Sequence, residues 1–135
     1  MITFEKEYFQ TFEFSKSQIE RYFRGALRDL EIARKDSFSE VRFSYSYQAL
    51  IKAGIALLAK KNKKVRSTSG HHVKILAKMS EILHDEDILI IGNAMRMKRN
   101  YDLYGGGESI TEKEAKDYLD FVEKIFVKAK KEIHS

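Results

Sequence analysis

Hydrophobic residues recur every three or four positions over most of the chain, the spacing that lines one face of an α-helix. Ser17-Gln18-Ile19-Glu20 has the Ser-x-x-Glu order of a capping box, and Ile19, Tyr22, Phe23, Ala26, Leu27, Leu30 and Ala33 follow on one stripe. Together they predict a first helix near residues 16–35. Asp36 and Ser37 interrupt it, and Ser37-Phe38-Ser39-Glu40 repeats the capping pattern and predicts a second helix running to about Lys61. The connection is short, so these two helices are expected to pack antiparallel. The second helix carries Ala49, Leu50, Ile51, Ala53, Ile55, Ala56, Leu57 and Leu58 on almost every side of its C-terminal half, as a central, most buried helix does.

The segment from Lys60 to Gly70 reads as a polar, basic loop, after which Val73, Leu76, Met79, Ile82 and Leu83 mark a third helix. Asp85, Glu86 and Asp87 suit the positive N-terminus of a fourth helix, expected from about Asp87 to Tyr104. Gly105-Gly106-Gly107 would end it, because a C-cap favours left-handed backbone that glycine adopts without strain. Thr111-Glu112-Lys113-Glu114 is a third capping box, opening a last helix with Ala115, Tyr118, Leu119, Val122, Ile125, Phe126, Ala129 and Ile133 on one face. The first fourteen residues, with Phe4, Tyr8, Phe9, Phe12 and Phe14, follow neither period and read as an extended arm or a short helix packed on the bundle. The expectation is all-α: a single domain spanning 1–135, built as an up-and-down bundle of about five helices.

Composition narrows the chemistry. The 135 residues include no proline, 43% are hydrophobic and 33% charged, which supplies both a core and a solvated surface. The absence of cysteine excludes disulfides, thiolate nucleophiles and cysteine-based zinc sites. No run of about 18 apolar residues occurs, and Met1-Ile2-Thr3-Phe4-Glu5-Lys6-Glu7 lacks the basic-then-apolar order of a secretory signal, so a cytoplasmic protein without a membrane partner is expected. A net charge of +5 favours polyanions such as nucleic acid.

Only the end of the fourth helix is chemically loaded. At about 100° per residue, Ile88, Ile91 and Met95 should face the core, whereas Arg96, Asn100 and Tyr104 share another side with Arg99 adjacent and Leu89, Gly92 and Asn93 continuing it. Such a face fits a homodimer seam lined with anion-binding groups, Gly92 letting another helix approach closely. Two guanidiniums on adjacent turns repel unless a phosphate or carboxylate lies between them, and their geometry matches phosphate oxygens. The plainer alternative pairs Arg99 with Asp102 and leaves Arg96 solvated.

Arg99-Asn100-Tyr101-Asp102-Leu103-Tyr104-Gly105, closing a helix that follows a basic loop and another helix, resembles the HEPN family of small helical bundles over most of the chain. The family's hallmark is an Arg, a polar residue that is usually Asn, and a His four to six residues after the Arg, matched here by Arg99, Asn100 and position 104. The resemblance implies a metal-independent endoribonuclease site at a homodimer interface, the Arg stabilising the phosphorane and the His moving protons during attack by the ribose 2′-hydroxyl. Arg99, Asn100 and Tyr104 are then the candidate catalytic residues. Tyr104 departs from the pattern, since a phenol with a pKa near 10 is a poor general base but can donate a hydrogen bond to phosphate or stack on a base. The resemblance therefore implies an RNA- or nucleotide-binding protein, with or without cleavage. Its alternative is a non-catalytic subunit paired with a minimal nucleotidyltransferase in a toxin–antitoxin-type system, Tyr104 or Tyr101 accepting an AMP group.

Candidate phosphate contacts are Arg96, Arg99, Lys63, Lys64 and Arg66, the last three from the basic loop, which also reads as simply solvated. His71 and His72 diverge by about 100° on a helix and read as structural residues of the third helix's first turn. Glu81-x-x-His84 has di-iron spacing but no second copy, and the triple glycine lacks the strand and Gly-Lys-Ser/Thr of a phosphate loop. Phe43, Tyr45 and Tyr47 read as core or interface. No metal or cofactor is expected.

Overall fold

The computed structural model describes the backbone of residues 1–104 and 110–135 and the side chains of residues 1–100 and 110–135. Among the described residues the elements run β1 (Phe9–Thr11), α1 (Lys16–Lys35), α2 (Ser39–Lys60), β2 (Lys63–Val65), α3 (His71–Leu83), α4 (Asp87–Tyr104) and α5 (Glu112–Ile133), an all-α bundle with one short strand pair. No helix among these residues is long and apolar enough to cross a membrane.

Local chemistry sets the helix ends. Thr111 caps α5 as its sequence predicts: its hydroxyl accepts from the Glu114 amide and the Glu114 carboxylate accepts from the Thr111 amide. The box that opens α1 lies two residues earlier than expected, with Ser15 and Gln18 satisfying each other's amides, which leaves Ser17 inside the first turn. The box expected at Ser37-Phe38-Ser39-Glu40 does not form. Phe38 occupies the cap position of α2, Asp36 accepts from the Phe38 amide, and Arg42 donates to the carbonyls of Ala33 and Asp36. One guanidinium thus satisfies carbonyls that the end of α1 would otherwise leave unpaired, and it holds the tight corner between α1 and α2.

The central element is α2, which packs against α1, α3 and α5. Tyr47, Leu50, Ala53, Ala56, Leu57 and Leu58 are buried around its circumference, matching its nearly continuous apolar sequence. Lys60 at its end donates to the carbonyls of Glu132 and Ile133, tying α2 to the end of α5.

The segment expected as a basic loop is instead partly a strand. Lys63, Lys64 and Val65 pair antiparallel with Thr11, Gln10 and Phe9. Three residues are too few to display a period of two, so neither strand was legible in the hydrophobic pattern. Phe9 inserts into the core, and buried Lys78 of α3 donates to the Thr3 carbonyl and to the Glu5 carboxylate, pinning the N-terminal arm. The segment 61–70 returns along α2, so that α3 begins beside Tyr47.

Helix α3 is keyed between its neighbours by two glycines. A Cβ on Gly54 of α2 would lie 2.5 Å from Ile75 Cγ2 and 2.6 Å from Met79 Sδ, and one on Gly92 of α4 would lie 2.6 Å from Leu76 Cδ2. Ile75, Leu76 and Met79 are fully buried, so these atoms have little room to retreat. Gly92 therefore admits α3 of the same chain, a correction to its expected part in a homodimer seam. Overpacking costs about 1–3 kcal/mol, whereas glycine to alanine within a helix gains about 1 kcal/mol in propensity. Gly54→Ala, which crowds two core side chains, is expected to lower stability by about 1–2 kcal/mol in urea denaturation. An unchanged or raised midpoint would show that α3 is not held by this contact.

Candidate functional site

The expected core face of α4 is in place, with Ile88 and Met95 buried and Ile91 half-buried. Arg96, Arg99 and Asn100 are all half-buried on the side that meets α2 and the start of α3. Arg96 Nε donates to Asn93 Oδ1 at 2.8 Å, an i−3 contact that orients the guanidinium and leaves its terminal nitrogens as the remaining donors.

An open cavity of about 390 Å³ lies between α4 and the entry to α3. Arg96 and Asn100 line one wall, and residues 67–70 with His71 and His72 line the other. Among the described residues no carboxylate contributes to this lining. Gly70 holds the cap position of α3 in left-handed backbone, φ 80°, and no side chain caps the helix; the His71 amide donates to the Thr68 carbonyl, which leaves the next amides of the first turn with capacity for an outside acceptor. Arg96, three hydroxyl residues and an uncapped helix start therefore border one space, a combination suited to phosphate oxygens.

The two histidines do occupy the first turn of α3, as their sequence position predicts, but they also line this cavity. The Nδ1 of His71 lies 2.8 Å from the Thr68 carbonyl, which can only accept; Nδ1 therefore carries a proton. The Nδ1 of His72 is 2.8 Å from the Tyr47 hydroxyl. Burial, reinforced by positive charge at His71, Arg99 and Arg96, pulls the His72 pKa down to about 4. Burial also pushes the Tyr47 phenol up to about 12, against the pull of Arg99 and Arg96. At pH 7 the bond joins a neutral phenol to a neutral imidazole and fixes the ring's orientation.

Arg99 takes a different position from Arg96. Its guanidinium carbon lies 5.6 Å from the centre of the Tyr47 ring, a cation–π contact on α2. It lines a second, smaller cavity with Tyr47 and His72, so His72 separates the space bordered by Arg96 from that bordered by Arg99. The structure thus brings Arg96 and Asn100 together at one cavity and sets Arg99 at its neighbour.

Lys63, Lys64 and Arg66 do not line either cavity. Lys63 donates to Thr11 Oγ1, Lys64 lies 5.7 Å from the Phe12 ring centre, and Arg66 donates to the Lys6 carbonyl. These cations serve the strand pair and the arm. Tyr104 is the last residue of α4; its side chain, that of Tyr101, the proposed Arg99–Asp102 pair and the Gly105-Gly106-Gly107 cap lie outside the described residues.

Tyr47 and His72 are the members that sequence reasoning did not assign to the site. The run Ser67-Thr68-Ser69-Gly70 before a helix was the available signal for one wall, since small hydroxyl residues ahead of a helix start are common anion ligands. Nothing in the linear order places Tyr47 against His72, because that contact is made by the return of the chain along α2. No known family, curated protein or solved structure was found to match the chain.

The pH dependence of this site is directional. His72 has a folded pKa near 4, below the ordinary histidine value of 6.5, so protonation favours the unfolded chain. Its contribution to stability is present above pH 6.5 and is lost as the pH falls towards 4. Denaturation midpoints measured from pH 7 to pH 4.5 should fall, and His72→Gln should flatten that slope. An NMR titration midpoint of the His72 ring near 6.5 would refute the assignment.

Proposed function

We propose that this chain is a HEPN-like RNA- or nucleotide-binding protein that holds phosphate between Arg96 and Asn100 of α4 and the start of α3. The observation that carries the reading is the convergence of these two side chains with an uncapped helix N-terminus on one cavity whose described lining holds no carboxylate. Arg96 supplies charge-assisted donors, Asn100 an amide that can donate to a non-bridging oxygen, and residues 67–69 their hydroxyls. Arg99 lies one helical position from Asn100 and lines the neighbouring cavity, and in this reading it serves an adjoining phosphate or the transition state of its cleavage. The HEPN resemblance gives Arg99 and Asn100 that role and gives Tyr104 the place of the usual histidine.

The same reading calls for a homodimer. Ile90 and Met97, 65% and 58% exposed, share the outer side of α4 with exposed Ala94, and a second copy of the chain is the proposed cover of this stripe. Catalysis, in this reading, needs the second copy's motif beside the first.

Binding of a short single-stranded RNA in low salt tests the phosphate site. Arg96→Ala is expected to weaken it by about tenfold to a hundredfold, the effect of losing a hydrogen-bonded charge. Affinity unaltered by Arg96→Ala, with the fold intact by circular dichroism, would sink the reading. Incubating structured and unstructured RNA in EDTA with the parent and with Arg99→Ala tests cleavage. Products from the parent alone would assign Arg99 to a metal-independent ribonuclease, equal products from both would remove it, and retained binding without products would assign a non-catalytic binder.

A further inference from the structure

The second cavity is small, about 210 Å³, and differs in chemistry from the first. Tyr47, Ile51 and Ile55 give it an apolar lining, while Gln48, His72 and Arg99 supply polar edges. Lys52 also borders it, but its ammonium is 2.8 Å from the buried Asp29 carboxylate, so its charge is compensated within the protein. Arg99 is therefore the cavity's guanidinium, held over the Tyr47 ring at 5.6 Å. His72 belongs to both cavities, its ring fixed by Tyr47.

An isolated phosphate has no use for an apolar pocket bearing one amide, and an aliphatic ligand has no use for the amide and the guanidinium. A nucleobase uses all three. Its faces pack on apolar groups and stack against guanidinium planes, and its edge offers both donors and acceptors, which a glutamine amide matches from either side. The neighbouring cavity, across His72, carries the phosphate-binding groups.

We propose that the Tyr47–Gln48–Ile55–Arg99 cavity is a nucleobase subsite, so that the ligand is a nucleoside phosphate unit, free or within RNA, with its phosphate on Arg96 and its base across His72. The proposal rests on the phosphate reading of the first cavity and adds the source of its selectivity. Arg96 and Asn100 hold charge without regard to the base; Gln48 and Arg99 distinguish a nucleotide from any other phosphate.

Calorimetric titrations of the full chain with inorganic phosphate, ribose 5-phosphate, the four ribonucleoside monophosphates and a short oligoribonucleotide separate the two claims. At least one nucleoside monophosphate should bind about tenfold or more tightly than ribose 5-phosphate, the scale of one base–side-chain stack. In Gln48→Leu, and in Ile55→Phe, which fills the cavity, the ratio of these two affinities should fall towards one. Arg96→Ala should weaken both ligands together. Equal affinities for ribose 5-phosphate and all four nucleotides in the parent would overturn the base subsite while leaving the phosphate site standing. A preference that survives both cavity variants, each confirmed as helical by circular dichroism, would overturn it too. Failure of every phosphate compound to bind would remove the phosphate reading itself. Tighter binding of the oligoribonucleotide than of any monophosphate would identify RNA as the source of the unit, and the reverse order a free nucleotide.

Discussion

The placement of α3 is the constraint on which the site depends. A helix of thirteen residues is too short to be stable alone, and α3 persists because buried side chains on both of its flanks fit where α2 and α4 carry hydrogen instead of a methyl group. Gly54 lies two turns beyond Tyr47, and Gly92 one turn before Arg96. The close approach at the glycines therefore fixes the relation between the Tyr47 ring, the entry to α3 and the guanidinium of Arg96. Packing and chemistry are coupled here through the same three helices.

Electrostatics gives the site its direction. Arg96 borders the first cavity and Arg99 the second, and among the described residues neither lining holds a carboxylate. Elsewhere cations are paired within the protein: Arg34 is bonded to both Glu31 and Glu123, and Lys52 lies beside Asp29. His72 responds by staying neutral, and it spares the site a further charge while keeping a polar ring between the two cavities. An anion entering the first cavity would meet donors already oriented by Asn93 and by the helix start, which lowers the ordering cost of binding.

Much of this was legible in the sequence. Helical periodicity located the five helices among the described residues, and the α5 capping box was placed correctly because Thr111 and Glu114 are three apart with nothing competing for them. At α1 two overlapping patterns competed, and Ser15 with Gln18 prevailed over Ser17 with Glu20. At α2 the corner is held by Arg42 reaching back to α1, an interaction between helices that a local motif cannot reveal. The Arg96 and Asn100 face was visible at helical spacing, but its true partners were not. Gly92 looked like a notch for another molecule because sequence gives the position of a notch and not its occupant. The strand pair was hidden by its shortness, and with it the reason for the basic residues Lys63, Lys64 and Arg66.

That strand pair also bears on how the molecule assembles. Two strands of three residues, far apart in the chain, offer too few hydrogen bonds to offset the entropy of closing the intervening loop, whereas α1 and α2 meet across a connection of a few residues. The arm can dock only on a surface that the helices have already built. The Arg66 amide donates to the Tyr8 carbonyl, and the segment that follows is the Ser67-to-Gly70 wall of the first cavity. The wall is thus braced by the N-terminal arm, so a molecule whose arm is undocked can possess its helices and still lack a finished place for a ligand.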